Sequence, residues 1–196
     1  VQFSLDNNGY GSAVYSATGP DRIYSLVAFA SHLDDGCRTD RVIAEQWDAT
    51  FCLFDGIPSS SDISRLSTET PLQEAGRFQD TEIVLSRANK SLRLFNSVVS
   101  SLSTGKQPSP DLINEIGYLM RTTAVYGNGK FGLADRSLYL GRPELAPPFQ
   151  AEMLTVYLIR EFSLDLVEHL AKSSGSGQVE RLDNTLKRHV GVGNAT

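Results

Sequence analysis

The segments of this chain with strand character lie in the first 58 residues, and those with strong helical periodicity lie after them. Strands followed by helices, with no βαβ alternation, exclude a doubly wound parallel sheet. They leave an α+β fold, with a small antiparallel sheet packed against helices. Residues 9–17 and 22–31 are rich in β-branched and aromatic side chains, and Thr18-Gly19-Pro20-Asp21 between them is turn chemistry, so they predict a hairpin. Residues 46–54 alternate: Trp47, Ala49, Phe51 and Leu53 share one side, and Asp48, Thr50 and Cys52 the other. That is the period of a half-buried strand. Asp55-Gly56-Ile57-Pro58 ends it, and residues 40–45 fit either a helical turn or an extension of the same strand.

The sheet so predicted has about three strands, followed by a bundle of about five helices. A short helix over 60–67 has Ser60 or Ser61 as its cap. A long one over 81–103 carries Val84, Ala88, Leu92, Phe95, Val99 and Leu102 at helical spacing, with Gly105 just beyond its end. Ser109-Pro110-Asp111 opens a third helix over 110–124, with proline at its first position. The helix over 149–172 has so continuous an apolar centre that it is buried on most sides. A polar amphipathic helix over 178–189 follows the connector Lys172-Ser173-Ser174-Gly175-Ser176-Gly177. Residues 1–58 therefore form the β region and 59–196 the helical region of one structural domain.

At 196 residues the chain can bury roughly 70% of its unfolded surface without a staple. Cys37 and Cys52 lack metal spacing and are too few for a disulfide framework, so they read as reduced thiols. A net charge of −5 with interspersed signs argues against nucleic acid, which requires a clustered basic surface. No stretch approaches the ~18 apolar residues of a membrane span, and no signal peptide is visible, so a cytoplasmic bacterial-type protein is the expectation. The chain begins at Val1 and stops at a glycine-rich turn, Gly191-Val192-Gly193-Asn194-Ala195-Thr196, which suggests a piece of a longer polypeptide.

Chemistry concentrates in Gly127-Asn128-Gly129-Lys130-Phe131-Gly132, which fits G-x-G-x-x-G letter for letter. In a dinucleotide fold that pattern follows a strand and opens a helix, whereas here it follows the predicted helix 110–124. A P-loop fails too, since Ala124 stands at the first glycine and Phe131 where Ser or Thr would meet magnesium. The plain reading is a helix cap at Gly127 and a turn. The functional reading is a cationic nest, in which Gly127, Asn128, Gly129, Lys130, Gly132, Arg136 and Arg121 hold a phosphate or carboxylate. Across 121–144, Arg121, Lys130, Arg136 and Arg142 outnumber Asp135 and Glu144. Asp135 or Glu152 is the available acid/base, given partial burial.

On the helix 149–172, Glu161, Asp165 and His169 recur every fourth residue and read as a solvated face, with Asp165 paired to His169. Glu152 and Arg160 lie near the apolar centre, where an unpaired charge is costly, and read as structural pairs or as residues facing a cleft. No metal motif is present, and no cofactor is implied.

Three stretches together resemble a family of uncharacterised bacterial proteins: Met120-Arg121-Thr122-Thr123-Ala124-Val125-Tyr126 running through the glycine loop to Arg136; Phe149-Gln150-Ala151-Glu152-Met153-Leu154-Thr155-Val156-Tyr157-Leu158-Ile159-Arg160-Glu161-Phe162; and Arg188-His189-Val190-Gly191-Val192-Gly193-Asn194-Ala195-Thr196. The resemblance covers about the last two-fifths of the chain, implies a continuation beyond Thr196, and brings no activity or catalytic residue. Two functions remain open. One is an enzyme or ligand-binding domain for a small anionic metabolite. The other is a non-catalytic interaction domain that self-associates through the helix 149–172.

Overall fold

The predicted hairpin forms with its turn in place. β2 (Gly11–Thr18) pairs with β3 (Ile23–Ala30) from Gly11 opposite Ala30 to Thr18 opposite Ile23, and the Gly19 amide donates to the Arg22 carbonyl at 2.7 Å. In the computed structural model, residues 1–37, 46, 48–70, 82–88, 91–115, 150–175 and 179–187 are described. β4 (Ala49–Asp55) pairs with β3, β1 (Gln2–Leu5) joins at the outer side of β2, and β5 (Glu82–Ala88) joins at the outer side of β4. The order is β1-β2-β3-β4-β5, with every neighbouring pair antiparallel.

The α+β class therefore holds, but the sheet has five strands rather than about three, and it is not confined to residues 1–58. The fifth strand lies inside the stretch that reads as a helix over 81–103. Ile83-Val84-Leu85 is an apolar run too short to separate period 2 from period 3.6, although two of its three residues, Ile83 and Val84, are β-branched and favour a strand. Val84 and Ala88 fell into step with the true helical spacing that begins after Lys90, which made two elements look like one. The helix proper is α2 (Ser91–Ser103), and Gly105 ends it as expected, at φ 72° with its amide on the Leu102 carbonyl at 3.1 Å.

The other helices follow their expected capping chemistry with small shifts. α1 spans Ser60–Glu69, but its cap is Ser59, one residue before the expected serines. The Ser59 hydroxyl accepts from the Asp62 amide, and the Asp62 carboxylate accepts from the Ser59 amide. α3 starts at residue 110 and its described part ends at 115, with the Ser109 hydroxyl accepting from the Leu112 amide. α4 (Gln150–Ser174) runs slightly past the expected end. The expected helix over 178–189 is described only as the single turn α5 (Asn184–Lys187). Residues 179–183 are not helical, and Gln107 takes part of their backbone: its amide nitrogen donates to the Arg181 carbonyl and its oxygen accepts from the Asp183 amide, both at 2.8 Å.

Strand alternation gives the sheet two different faces. On the back, Ala13, Tyr15, Leu26, Ala28, Phe51 and Leu53 pack against Phe95, Val98 and Leu102 of α2 and Leu158, Ile159, Phe162 and Leu166 of α4. On the front, Val14, Val27, Phe29, Cys52 and Phe54 cluster, among the described residues, with Leu66 and Ile63 of α1. β4 is thus buried on both faces, not half-buried as its alternation suggested, because α1 covers the side that carries Cys52. Cys37 is exposed in the 3-10 turn Asp35–Cys37, and Cys52 is buried in the sheet, with no disulfide between them. None of the described helices is long and apolar enough to cross a membrane.

Candidate functional site

Front-face side chains fall into rows that cross the sheet along the register. Val14, Val27 and Cys52 form an apolar central row, with Ser16, Ser25 and Phe54 on one flank and Ser12, Phe29 and Thr50 on the other. α1 covers the centre and the Phe54 side. Its apolar side chains, Ile63 and Leu66, do not reach across the last row, and a cleft of about 440 Å³ opens there between sheet and helix. Ser12, Phe29 and Thr50 line it from the sheet, Ser4 and Ser31 from the strand ends, and Ile63, Ser64 and Ser67 from the helix. Ile63 and Ser67 stand four residues apart and so share one helix face.

None of the ten residues lining the cleft is charged. Six of them are hydroxyl side chains: Ser4, Ser12, Ser31, Thr50, Ser64 and Ser67. The Ser67 hydroxyl donates to the Ser64 carbonyl at 2.8 Å, and the other five make no hydrogen bond to protein among the described residues. For exposed serines that is unremarkable, but Thr50 is only 4% exposed. Its hydroxyl is not sealed from solvent, so what little of the side chain is exposed opens on the cleft. The same face shows the usual solution two rows away: buried Ser25 donates to the Gly56 carbonyl at 2.6 Å and shares a hydrogen bond with the Ser16 hydroxyl at 2.8 Å.

Gly11 fixes the β1 end of the cleft. Its φ is 138°, and a Cβ there would stand 2.2 Å from the Ser4 carbonyl oxygen, so only glycine lets β1 lie this close. On β5, backbone register sets Arg87 opposite Thr50, in the same row. The charges of α1 pair along the helix itself, Arg65 with Glu69 at 2.8 Å and with Asp62 at 4.0 Å. The Ser59 hydroxyl and amide, which hydrogen-bond the Asp62 carboxylate, hold its pKa below the usual range.

Of the residues expected from sequence to bind or react, only Glu152 falls among the described residues. Arg121, Gly127, Asn128, Gly129, Lys130, Gly132, Asp135 and Arg136 are outside the described residues, and so is Trp47. Glu152 is the third residue of α4. Among the described residues Arg160 does not pair with a charge from another segment: it bonds Glu161, its neighbour on the same helix, at 2.6 Å, and reaches α5 only through the Lys187 carbonyl at 3.0 Å. In the stripe Glu161, Asp165 and His169, Asp165 is exposed as a solvated face requires, but it is not paired with His169; instead these two residues tie α4 to the first two strands and the turn between them. Asp165 accepts from the Tyr15 hydroxyl at 2.7 Å, while His169 bonds the Asp6 carbonyl at 2.6 Å and sets its ring edge-on to Phe3. Burial foremost, and then the Asp165 carboxylate, raise the Tyr15 phenol far above its ordinary pKa. Apolar α4 residues such as Phe162 and Leu166 are spent on the chain's own core, leaving Tyr157, 51% exposed, on the outside. Among the described residues no three His, Cys, Asp or Glu side chains come together to hold a metal.

Sequence reasoning missed the cleft hydroxyls. The available signal was the alternation Ser12, Val14, Ser16 on β2 together with a helix, 60–69, whose only aliphatic side chains are Ile63 and Leu66. Comparison with protein-family models, with curated proteins and with solved structures finds no match.

Proposed function

We propose that this chain is a small-molecule-binding domain whose site is the cleft between α1 and the front of the sheet. The lining carries the reading: six hydroxyl side chains, five of them without a protein hydrogen bond among the described residues, gather on the wall of a cavity of about 440 Å³. That volume lies within the ~300–1,000 Å³ typical of ligand sites. Among the described residues the lining offers hydrogen-bond donors and acceptors and no acidic, basic or histidine side chain. It therefore suits binding and orientation rather than proton transfer.

The test is a thermal-shift screen of small metabolites with wild type and Ser64→Trp in parallel. Ser64 is exposed on the cleft wall, so an indole there fills the site without disturbing the core. A ligand at a hundred times its Kd adds about 2.7 kcal/mol of stability. The expected result is a shift in wild type that the variant loses, and a ligand equally effective on both would defeat the reading.

A second reading rests on the basic excess of Arg121, Lys130, Arg136 and Arg142 over Asp135 and Glu144. It takes the segment 127–132 as a site for a small phosphate- or carboxylate-bearing metabolite, with Asp135 or Glu152 as acid/base. Lys130→Ala in the same screen tests it, since anions should then stabilise wild type alone. The interaction-domain alternative gives self-association a narrower basis, because the buried residues of α4 are already engaged; Tyr157→Ser with sedimentation analysis is its test.

A further inference from the structure

The chemistry of the lining goes one step beyond the existence of a site, and the step rests on the cleft reading above. We propose that the cleft takes an uncharged polyhydroxylated ligand, a sugar or cyclic polyol laid against Phe29. Each serine or threonine hydroxyl is one donor and two acceptors, free to rotate to either role. Five such groups without protein partners surround one cavity, and Thr50 is the one that water reaches least.

Three ligand classes would meet this lining differently. A hydrocarbon would dry the hydroxyls without replacing their hydrogen bonds, at about 1–3 kcal/mol for each one stranded. An ion would surrender its hydration to a wall whose described residues carry no charge, which is costlier still. The charges nearest on α1 do not help it, since Arg65 faces Glu69 and Asp62 along its own helix. A polyol carries the same mixed donor and acceptor groups as the wall, so each hydroxyl on one side finds its counterpart on the other. Its C–H face suits the apolar part of the lining, where Phe29 lies beside Ala30 and Ile63. Arg87 enters the row by register, opposite Thr50, and an acidic sugar is therefore the competitor to exclude.

The probes are methyl glucoside, maltose and myo-inositol, against glucose 6-phosphate and gluconate, titrated by calorimetry and by NMR shift mapping. Variants are Thr50→Val and Ser12→Ala, which each remove one hydroxyl and keep the fold, with Ser64→Trp to fill the cleft and Arg87→Ala to remove the row's cation. At least one neutral probe should bind wild type, about 5- to 10-fold more weakly to Thr50→Val and to Ser12→Ala, as expected for one hydrogen bond, and not at all to Ser64→Trp. Arg87→Ala should leave that affinity within twofold.

Each contrary result has its own meaning. Failure of every neutral probe to bind overturns the polyol class, and so does binding that ignores both hydroxyl deletions. If only the anions bind, and do so through Arg87 with Ser64→Trp blocking them, the cleft stands as the site and the uncharged class falls. A probe that binds Ser64→Trp as well as wild type overturns the cleft itself.

Discussion

The two faces of one sheet are finished in opposite ways. The back is closed by two helices that bring Phe95, Leu102, Phe162 and Leu166 onto an apolar floor, with Phe51 edge-on to Phe162 at a centroid distance of 5.9 Å. On the front, α1 offers two apolar side chains, enough to seal the row of Val14, Val27 and Cys52 but not the row of Ser12, Phe29 and Thr50. The back face specifies the fold; the front gives up coverage and gains a polar cleft. Stability and binding are thereby assigned to different surfaces of the same strands, and each can be perturbed with little effect on the other.

The largest effect should come from the back. Phe162 is fully buried and meets both Phe51 and Tyr15, so Phe162→Ala should cost about 3–5 kcal/mol. Denaturant unfolding would show this as a lower midpoint, and ligand affinity of the remaining folded protein should be unchanged. A loss of less than 1 kcal/mol would mean that the helix layer is not the chief support of the sheet. Next is Gly11→Ala, at the junction between strand pairing and cleft. A methyl group here must displace the Ser4 carbonyl and adopt a φ that side chains rarely tolerate, so the expected cost is about 1–3 kcal/mol. Because β1 must move, this variant alone should lose both stability and cleft binding.

Tyr15 ties the back face to α4 through Asp165, and Tyr15→Phe should cost about 1 kcal/mol. Its pH signature is more specific than its size. The phenol is raised in the folded state, so the folded protein holds a proton that the unfolded chain releases once pH passes about 10. The contribution is therefore complete below that point and falls away above it. Alkaline unfolding of wild type should steepen above about pH 10, and Tyr15→Phe should flatten it. Identical alkaline profiles would show that the hydroxyl is hydrated in solution.

Sequence legibility followed the same division. The hairpin, the alternation of β4 and the C-terminal end of α2 could be read because local chemistry decides them: Gly19-Pro20 in a turn, Phe51 and Thr50 on opposite sides, Gly105 past a helix. β5 could not, because Ile83-Val84-Leu85 satisfies both periods and only pairing with β4 selects one. Residues 179–183 were equally opaque, since the partner that takes part of their backbone, Gln107, is more than 70 positions away. The cleft escaped for a related reason. Its serines come from three strands and a helix, none in a motif, and only the register of Ser4, Ser12 and Thr50 gathers them. The glycine loop was conspicuous because its residues are adjacent, and adjacency is what a sequence displays.

The smallest expected effect is the most discriminating one. Thr50→Val keeps the shape of the side chain and removes a hydroxyl that has no protein partner among the described residues. A hydroxyl that opens on the cleft and bonds no protein group among the described residues adds no hydrogen bond to the fold, so its loss should change stability by between zero and about 1 kcal/mol in the stabilising direction. Ser25→Ala is the control, two rows along the same face. That hydroxyl bonds both the Gly56 carbonyl and Ser16, and its removal should destabilise by about 1 kcal/mol or more. Opposite signs for two hydroxyl deletions on one sheet face would show that Thr50 is held for something outside the fold. If Thr50→Val is as costly as Ser25→Ala, its hydroxyl is satisfied within the protein, and the argument for a ligand loses its main support.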